Sequence, residues 1–342
     1  MTHAAQGVGI LLVNTGSPAA PSTPAVRSYL REFLSDRHVV ALAPALWLPI
    51  LHGIILRVRP ARSARRYRRI WTEAGSPLVV GTQHLAEALA TSLEGLAPGT
   101  PVVAAMRYGR PSIAEGLAEL RAAGVRRVVA VPLFPQSCAA TTGSVLEAVT
   151  AAAERLEPPM PVTSVTRYHE HAAYLRAVAA GVTRQWELLG RPAHTLISFH
   201  GIPLAHDRRD GYAAQCRATA EAVAHLLGLS SHEWTLTYQS RFGANRWLAP
   251  TTLEVLTALA TRHRPGSDAV GRVDIVTPGF AVDCLETLDE LGTEAREHFR
   301  RRGGGELNVV PCLGDDPAHA DALAQIVWAQ VSPDINQMTG RR

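Results

Sequence analysis

The chain has 342 residues, 46% of them hydrophobic, with 34 Lys and Arg against 30 Asp and Glu and a formal net charge of +4. That length exceeds one ordinary core and sets a working count of two domains. The positive charge is scattered except over residues 57–69, and no nucleic-acid motif accompanies it, so small anionic ligands are expected rather than nucleic acid. Four widely spaced cysteines, Cys138, Cys216, Cys284 and Cys312, include no C-x-x-C pair, which argues against a zinc ribbon or a disulfide framework. The N-terminal residues run straight into a strand-like segment with no signal-peptide pattern, so a cytoplasmic setting is expected.

In chain order, strand-like runs at 8–13, 102–106, 128–133, 162–165, 196–199, 234–238, 273–276 and 307–310 alternate with helical patterns. Such alternation predicts parallel sheets covered by helices, and eight strands suit two doubly wound α/β units of four strands each. The turn Asn14-Thr15-Gly16-Ser17-Pro18 after the first run has neither the G-x-G-x-x-G pattern nor the G-x-x-x-x-G-K loop, so no nucleotide cofactor is expected. Residues 41–58 are largely apolar, but Pro44, Pro49, His52 and Gly53 interrupt them and arginines follow, which weighs against a membrane span. They read either as a core helix pair or as an apolar lip around a flat ligand or against a bilayer. Arg107-Tyr108, behind the second run, can bind an anionic group or cap the turn. Glu157-Pro158-Pro159-Met160-Pro161 reads as the hinge. It separates a first domain over 1–160 from a second over 161–330, whose last helix can pack back on the first, with a tail over 331–342. No internal sequence repeat is visible.

The fifth run ends on a histidine, in Leu196-Ile197-Ser198-Phe199-His200-Gly201-Ile202-Pro203. Gly and Pro stop the strand, so His200 should project from its carboxyl edge, where open α/β sheets bind ligands. Behind the seventh run stands Asp283-Cys284-Leu285-Glu286-Thr287-Leu288-Asp289-Glu290, read as a helix start. At 100° per residue Asp283, Glu286 and Glu290 share one arc, opposite Leu285, Leu288 and Leu291. A base and carboxylates at two strand ends suit metal or proton chemistry. The alternative is structural: Asp283 and Glu286 have capping-box spacing, and the acidic stripe continues through Glu294 and Glu297 as a solvated face would. His169 and His171, two apart in a loop, could share a metal but read more simply as surface histidines.

Several strings together resemble one family. They are Gly9-Ile10-Leu11-Leu12-Val13-Asn14-Thr15-Gly16-Ser17-Pro18, residues 25–36, Ala105-Met106-Arg107-Tyr108-Gly109, Phe134-Pro135-Gln136 with Thr141-Thr142, Ser198 to Pro203, Tyr238-Gln239-Ser240-Arg241-Phe242-Gly243 and Pro278 to Leu288. In order, over about residues 8 to 325, they closely resemble ferrochelatase. The resemblance implies two similar Rossmann-like units, each a four-stranded parallel sheet flanked by helices, with a porphyrin in the cleft between them. It implies a lyase reaction in which ferrous iron enters a free-base porphyrin to form haem and two protons leave. His200 and Glu286 would then be the iron ligands, or proton acceptor and relay, with Asp283 and Glu290 beside them. Iron(II) accepts imidazole and carboxylate oxygen, and loss of two pyrrole protons needs a neutral base. Arg59, Tyr67 and Ser76 match positions near the porphyrin propionates, Thr15 lies over the macrocycle, and Trp247 with the 41–58 lip supplies apolar walls. Arg107 and Tyr108 join the substrate-binding set.

Departures accompany the match. After Pro203 stand Leu204-Ala205-His206 where the family usually has Arg-Tyr, 262–268 looks like a surface insertion, and the C-terminal residues lack the cysteine-rich segment with which some relatives bind a [2Fe-2S] cluster. No iron-sulfur cluster, and no cofactor beyond the iron substrate, is expected. Weak peripheral membrane contact through the lip is expected, on the inner face of the cell membrane. The segment Arg62 to Trp71 looks more like that of protoporphyrin-type relatives, so protoporphyrin IX is the expected substrate. Coproporphyrin III and a non-catalytic porphyrin carrier are the alternatives.

Overall fold

In a computed structural model, residues 7–40, 42–241, 246–261 and 271–339 are described, with backbone alone for 332–339. The 262–268 insertion and Phe242-Gly243 lie outside them. The chain divides into two compact units, residues 1–168 with 314–342, and residues 169–313.

The first unit opens with β1 (Val8–Ser17), whose apolar residues are buried on both faces as a central parallel strand requires. Then follow α1 (Thr23–Ser35), α2 (Pro44–Ile50), a π-helical link over Leu51–Ile55, α3 (Leu56–Ile70), α4 (Pro77–Leu93), β2 (Val102–Gly109), α5 (Ile113–Ala122) and β3 (Arg127–Pro132). A π-helical turn over Ala139–Gly143 runs into α6 (Ser144–Glu154), and β4 (Val162–Ser164) completes the sheet. Its order is β2-β1-β3-β4, all parallel. Leu11, Val13, Ala105, Val128 and Ala130 from the strands bury against Leu117, Val145 and Val149 of the covering helices.

The second unit contains α7 (Ala172–Leu189), β5 (His194–His200), α8 (Leu204–Asp210), α9 (Tyr212–Leu226), β6 (Trp234–Gln239), α10 (Thr252–Thr261) and β7 (Val273–Val276). A π-helix over Glu286–Ala295 continues into α11 (Arg296–Arg301), before β8 (Leu307–Val309). The order β6-β5-β7-β8, all parallel, repeats that of the first sheet. Leu196, Ile275, Leu256, Leu291 and Phe299 form the core on one face. The chain then returns to the first unit as α12 (Pro317–Thr339), which packs on α4 and β3.

Two expectations shift. The Glu157–Pro161 stretch is not the crossover between units: β4, just beyond it, pairs with β3, and the Arg121 guanidinium donates to the carbonyls of Glu157 and Pro158. The chain leaves the first unit after Tyr168 and returns at Gly314. The 41–58 segment is not a core helix pair. Leu42, Leu46, Leu48, Ile50, Ile54 and Val58 are all exposed, Val58 at 71%, while Leu51 and Leu56 anchor the segment inside. Trp47 donates its indole N–H to the Leu34 carbonyl at 2.6 Å, pinning α2 to the end of α1. No helix among the described residues is long and apolar enough to cross a membrane.

Candidate active site

His200 is the last residue of β5 and half-buried, set at the carboxyl edge by strand register opposite Gln239 of β6. Its Nδ1 lies 2.7 Å from the Gly201 carbonyl oxygen. A carbonyl only accepts, so Nδ1 carries the proton and Nε2 of the neutral ring keeps its lone pair. The Trp247 ring stands beside this turn, 3.5 Å from where a side chain on Gly201 would begin, and Trp247 bridges Pro203.

The acids behind β7 are held on a wider helix than periodicity predicts. Helical structure starts at Leu285, so Asp283 lies before it and does not share the helical arc. From Glu286 the backbone is π-helical, and bonds spanning five residues put Glu286, Glu290 and Glu294 roughly one turn apart. The capping box is not formed: no side chain caps this helix, and Asp283 accepts instead from the Thr287 hydroxyl at 2.7 Å. Nor is the stripe uniformly solvated. Asp283, Glu286 and Glu290 are partly buried and Asp289 fully buried, whereas Glu294 and Glu297 are exposed.

Glu290 has two donors from one residue. Ser240 gives its backbone N–H to Oε1 and its hydroxyl to Oε2, both at 2.7 Å. Burial pushes the Glu290 carboxyl above the usual range, the Ser240 bonds oppose it, the nearby Glu286 charge adds to it and His200 opposes it. Gln239, next in sequence, donates to the Glu286 carbonyl at 3.3 Å, while its own amide oxygen accepts from the buried Ser198 hydroxyl at 2.9 Å. The end of β6 therefore touches both the main chain at Glu286 and the side chain of Glu290. Two thiols flank the acids. Burial raises the pKa of both Cys284 and Cys312, and the neighbouring carboxylates, Glu286 for Cys284 and Asp283 for Cys312, raise it further. Sequence reasoning assigned no role to Ser240 or Gln239, although both stand in the Tyr238 to Gly243 string that resembles the family. Among the described residues no three His, Cys, Asp or Glu side chains converge tightly enough to enclose a metal.

The remaining expected residues lie in the first unit. Thr15 is part-buried near the end of β1, its N–H on the Asn14 side chain at 2.8 Å. Arg59 is part-buried on α3, Tyr67 is buried there with its ring edge-on to Trp71 at 6.3 Å, and Ser76 is buried ahead of α4. Arg107 and Tyr108 are otherwise committed. The Arg107 guanidinium donates to Asp36 at 2.6 Å and to the Ser144 hydroxyl at 2.7 Å, and the Tyr108 hydroxyl donates to Asp36 at 2.7 Å. Burial would raise the Asp36 carboxyl, but the Ser144 hydroxyl, the His38 N–H, the Tyr108 hydroxyl and the Arg107 charge outweigh it and hold it low. This pair closes an internal knot in which the Arg107 charge is matched by Asp36.

Two four-stranded, all-parallel units of one strand order, with acids and a histidine at a strand edge, define a chelatase-type α/β protein. Solved structures share this fold. SirB from Bacillus subtilis with Fe3+ matches with a TM-score of 0.54 and 15% identity over 96% of this chain and 98% of that one. CbiX, described as the terminal enzyme of siroheme biosynthesis in denitrifying bacteria, matches with a TM-score of 0.50 and 14% identity over 94% and 98%. The ferrochelatase family model matches residues 7–331. The chain is 45% identical to the ferrochelatase of Thioalkalivibrio sulfidiphilus over 96% of its length and 89% of that protein's. It is 47% identical to that of Methylococcus capsulatus over 94% and 96%. The chain belongs to the ferrochelatase family.

Proposed function

We propose that this chain inserts ferrous iron into protoporphyrin IX, releasing the two pyrrole protons, with His200 and the Glu286–Glu290 line as the reacting groups. The observation that carries this is the pairing of a strand-end imidazole, its Nε2 lone pair kept free by the Nδ1 bond to Gly201, with a partly buried carboxylate line. His200 Nε2 accepts a pyrrole proton, Glu286 offers carboxylate oxygen to the iron or to the proton, and Glu290, whose carboxyl is pushed up, accepts the proton next. Asp283 supports the start of this line through Thr287. Thr15, Arg59, Tyr67, Ser76 and Trp247 serve the macrocycle and its propionates in this reading, which rests for them on the family resemblance.

Anaerobic turnover with iron(II), or with zinc as a stable surrogate, on protoporphyrin IX and coproporphyrin III tests the proposal. Higher kcat/KM on protoporphyrin IX is expected. Preference for coproporphyrin III reassigns the substrate, and tight porphyrin binding without insertion makes the chain a carrier. We place the protein in the cytoplasm with weak bilayer contact through the exposed leucines and isoleucines of residues 42–58, beside the arginines of α3. Liposome co-sedimentation checks this. We also propose that it holds no iron-sulfur cluster, and acid-labile sulfide in anaerobically purified protein would refute that.

A further inference from the structure

Ser240 is the one non-glycine residue among the described residues with a positive φ, 65°. A side chain is disfavoured in that left-handed conformation, and residues held there against their preference gather at functional sites. The molecule contains its own comparison. In the first sheet the edge strand β2 ends on Gly109, with a φ of 82°, where Ser240 directly follows the edge strand β6. Its N–H also donates to a glutamate, the Glu32 carboxylate, at 3.0 Å. Glycine thus delivers the left-handed turn and the backbone donor without steric penalty. What serine adds at 240 is the hydroxyl, and that hydroxyl occupies the second oxygen of Glu290.

We propose that Ser240 is a positioning residue for metal insertion: its hydroxyl and N–H together fix the Glu290 carboxylate in one orientation on the π-helix, beside Glu286. Two parallel bonds to the two oxygens of one carboxylate fix its plane as well as its place, which a single N–H does not do. Gln239 acts from the same strand end on the main chain at Glu286, so the line is registered to the sheet at both glutamates. A carboxylate free to turn would present a proton-accepting oxygen to Glu286 for only part of the time. The role rests on the metal-insertion reading above and goes beyond it by assigning the residue that aims its acids.

Ser240→Gly separates this role from a structural one, because it keeps the turn and the N–H, relieves the backbone and removes only the hydroxyl. The melting temperature should stay equal or rise, while kcat for zinc insertion falls about tenfold, the scale of one lost hydrogen bond to a charged group. KM for the porphyrin should stay within about twofold, since nothing that touches the macrocycle changes. Ser240→Ala should show the same kcat loss. In a Glu290→Gln background the added Ser240→Gly change should alter kcat by less than about twofold, because the partner it aims is already gone. Wild-type turnover in Ser240→Gly, or an undiminished tenfold loss in the Glu290→Gln background, overturns the assignment. Failure of the wild-type chain to insert any metal overturns instead the functional reading and, with it, this role.

Discussion

The two units use the same strand order, and in each the third strand leads through a π-helical turn into an α-helix, Ala139–Gly143 into α6 and Glu286–Ala295 into α11. What differs is the charge at the edge. The first π turn reads Ala-Ala-Thr-Thr-Gly and has no titratable group, and the nearby cation, Arg107, is matched by Asp36. The second opens Glu-Thr-Leu-Asp-Glu, and its Glu290 is met by Ser240, with Glu286 and His200 near. A matched charge stabilises and stays put, whereas a buried carboxylate next to another carboxylate keeps proton affinity. On the proposed function, one scaffold carries an edge whose charge is matched and an edge that reacts, and the difference lies in a few side chains.

The largest effect that would sharpen this contrast is at the reactive edge. Glu286→Gln and His200→Ala should each lower metal insertion about 100-fold or more, with porphyrin binding retained in a fluorescence titration. Near wild-type turnover in both would return the acids to a surface role. At the matched edge the loss should appear in stability instead. Arg107→Gln leaves the buried Asp36 carboxylate without its cation and should cost about 1–3 kcal/mol in denaturant unfolding. A variant of unchanged stability but weakened porphyrin binding would mean that Arg107 serves the ligand after all.

A smaller, pH-dependent difference is expected at Glu290. Its carboxyl is raised in the folded chain, so the folded state holds that proton to higher pH than the unfolded state does. Stability from this group is therefore lost as pH rises from about 4.3, the ordinary glutamate value, through the raised one. Glu290→Gln removes that slope, so its melting temperature should gain on the wild type as pH rises through the window. A gain that stays flat with pH would mean that the carboxylate ionises without penalty, and a gain that shrinks would mean that its pKa is lowered instead. The smallest effect belongs to Glu297→Gln, which lies past the π-helix, exposed and paired with Arg301 at 3.3 Å. It should change stability by no more than about 0.5 kcal/mol and leave turnover unchanged.

All eight strands, their parallel arrangement and the strand-end place of His200 were legible in the sequence, because buried parallel strands are continuous apolar runs and Gly and Pro mark their ends. The unit boundary was not, since the Pro-rich stretch at 157–161 punctuates a turn inside the first unit, and only the pairing of β4 with β3 reveals that. The acids were found on the wrong helix geometry: Asp283, Glu286 and Glu290 line up at 100° per residue, but the backbone there is π-helical and Asp283 precedes it. Composition alone also left the 41–58 segment open between core and surface, as apolar residues serve both.

Residue type and order thus determined the fold class, the strand ends and the presence of a histidine and a line of acids behind them. Only the tertiary structure decided which charges meet partners. Arg107 stands near the end of β2 and Glu290 behind β7, yet one finds Asp36, 71 positions away in sequence, and the other finds Ser240, 50 away. Such long-range pairings depend on sheet register and on the conformation of single backbone residues, and no local pattern of residues encodes them.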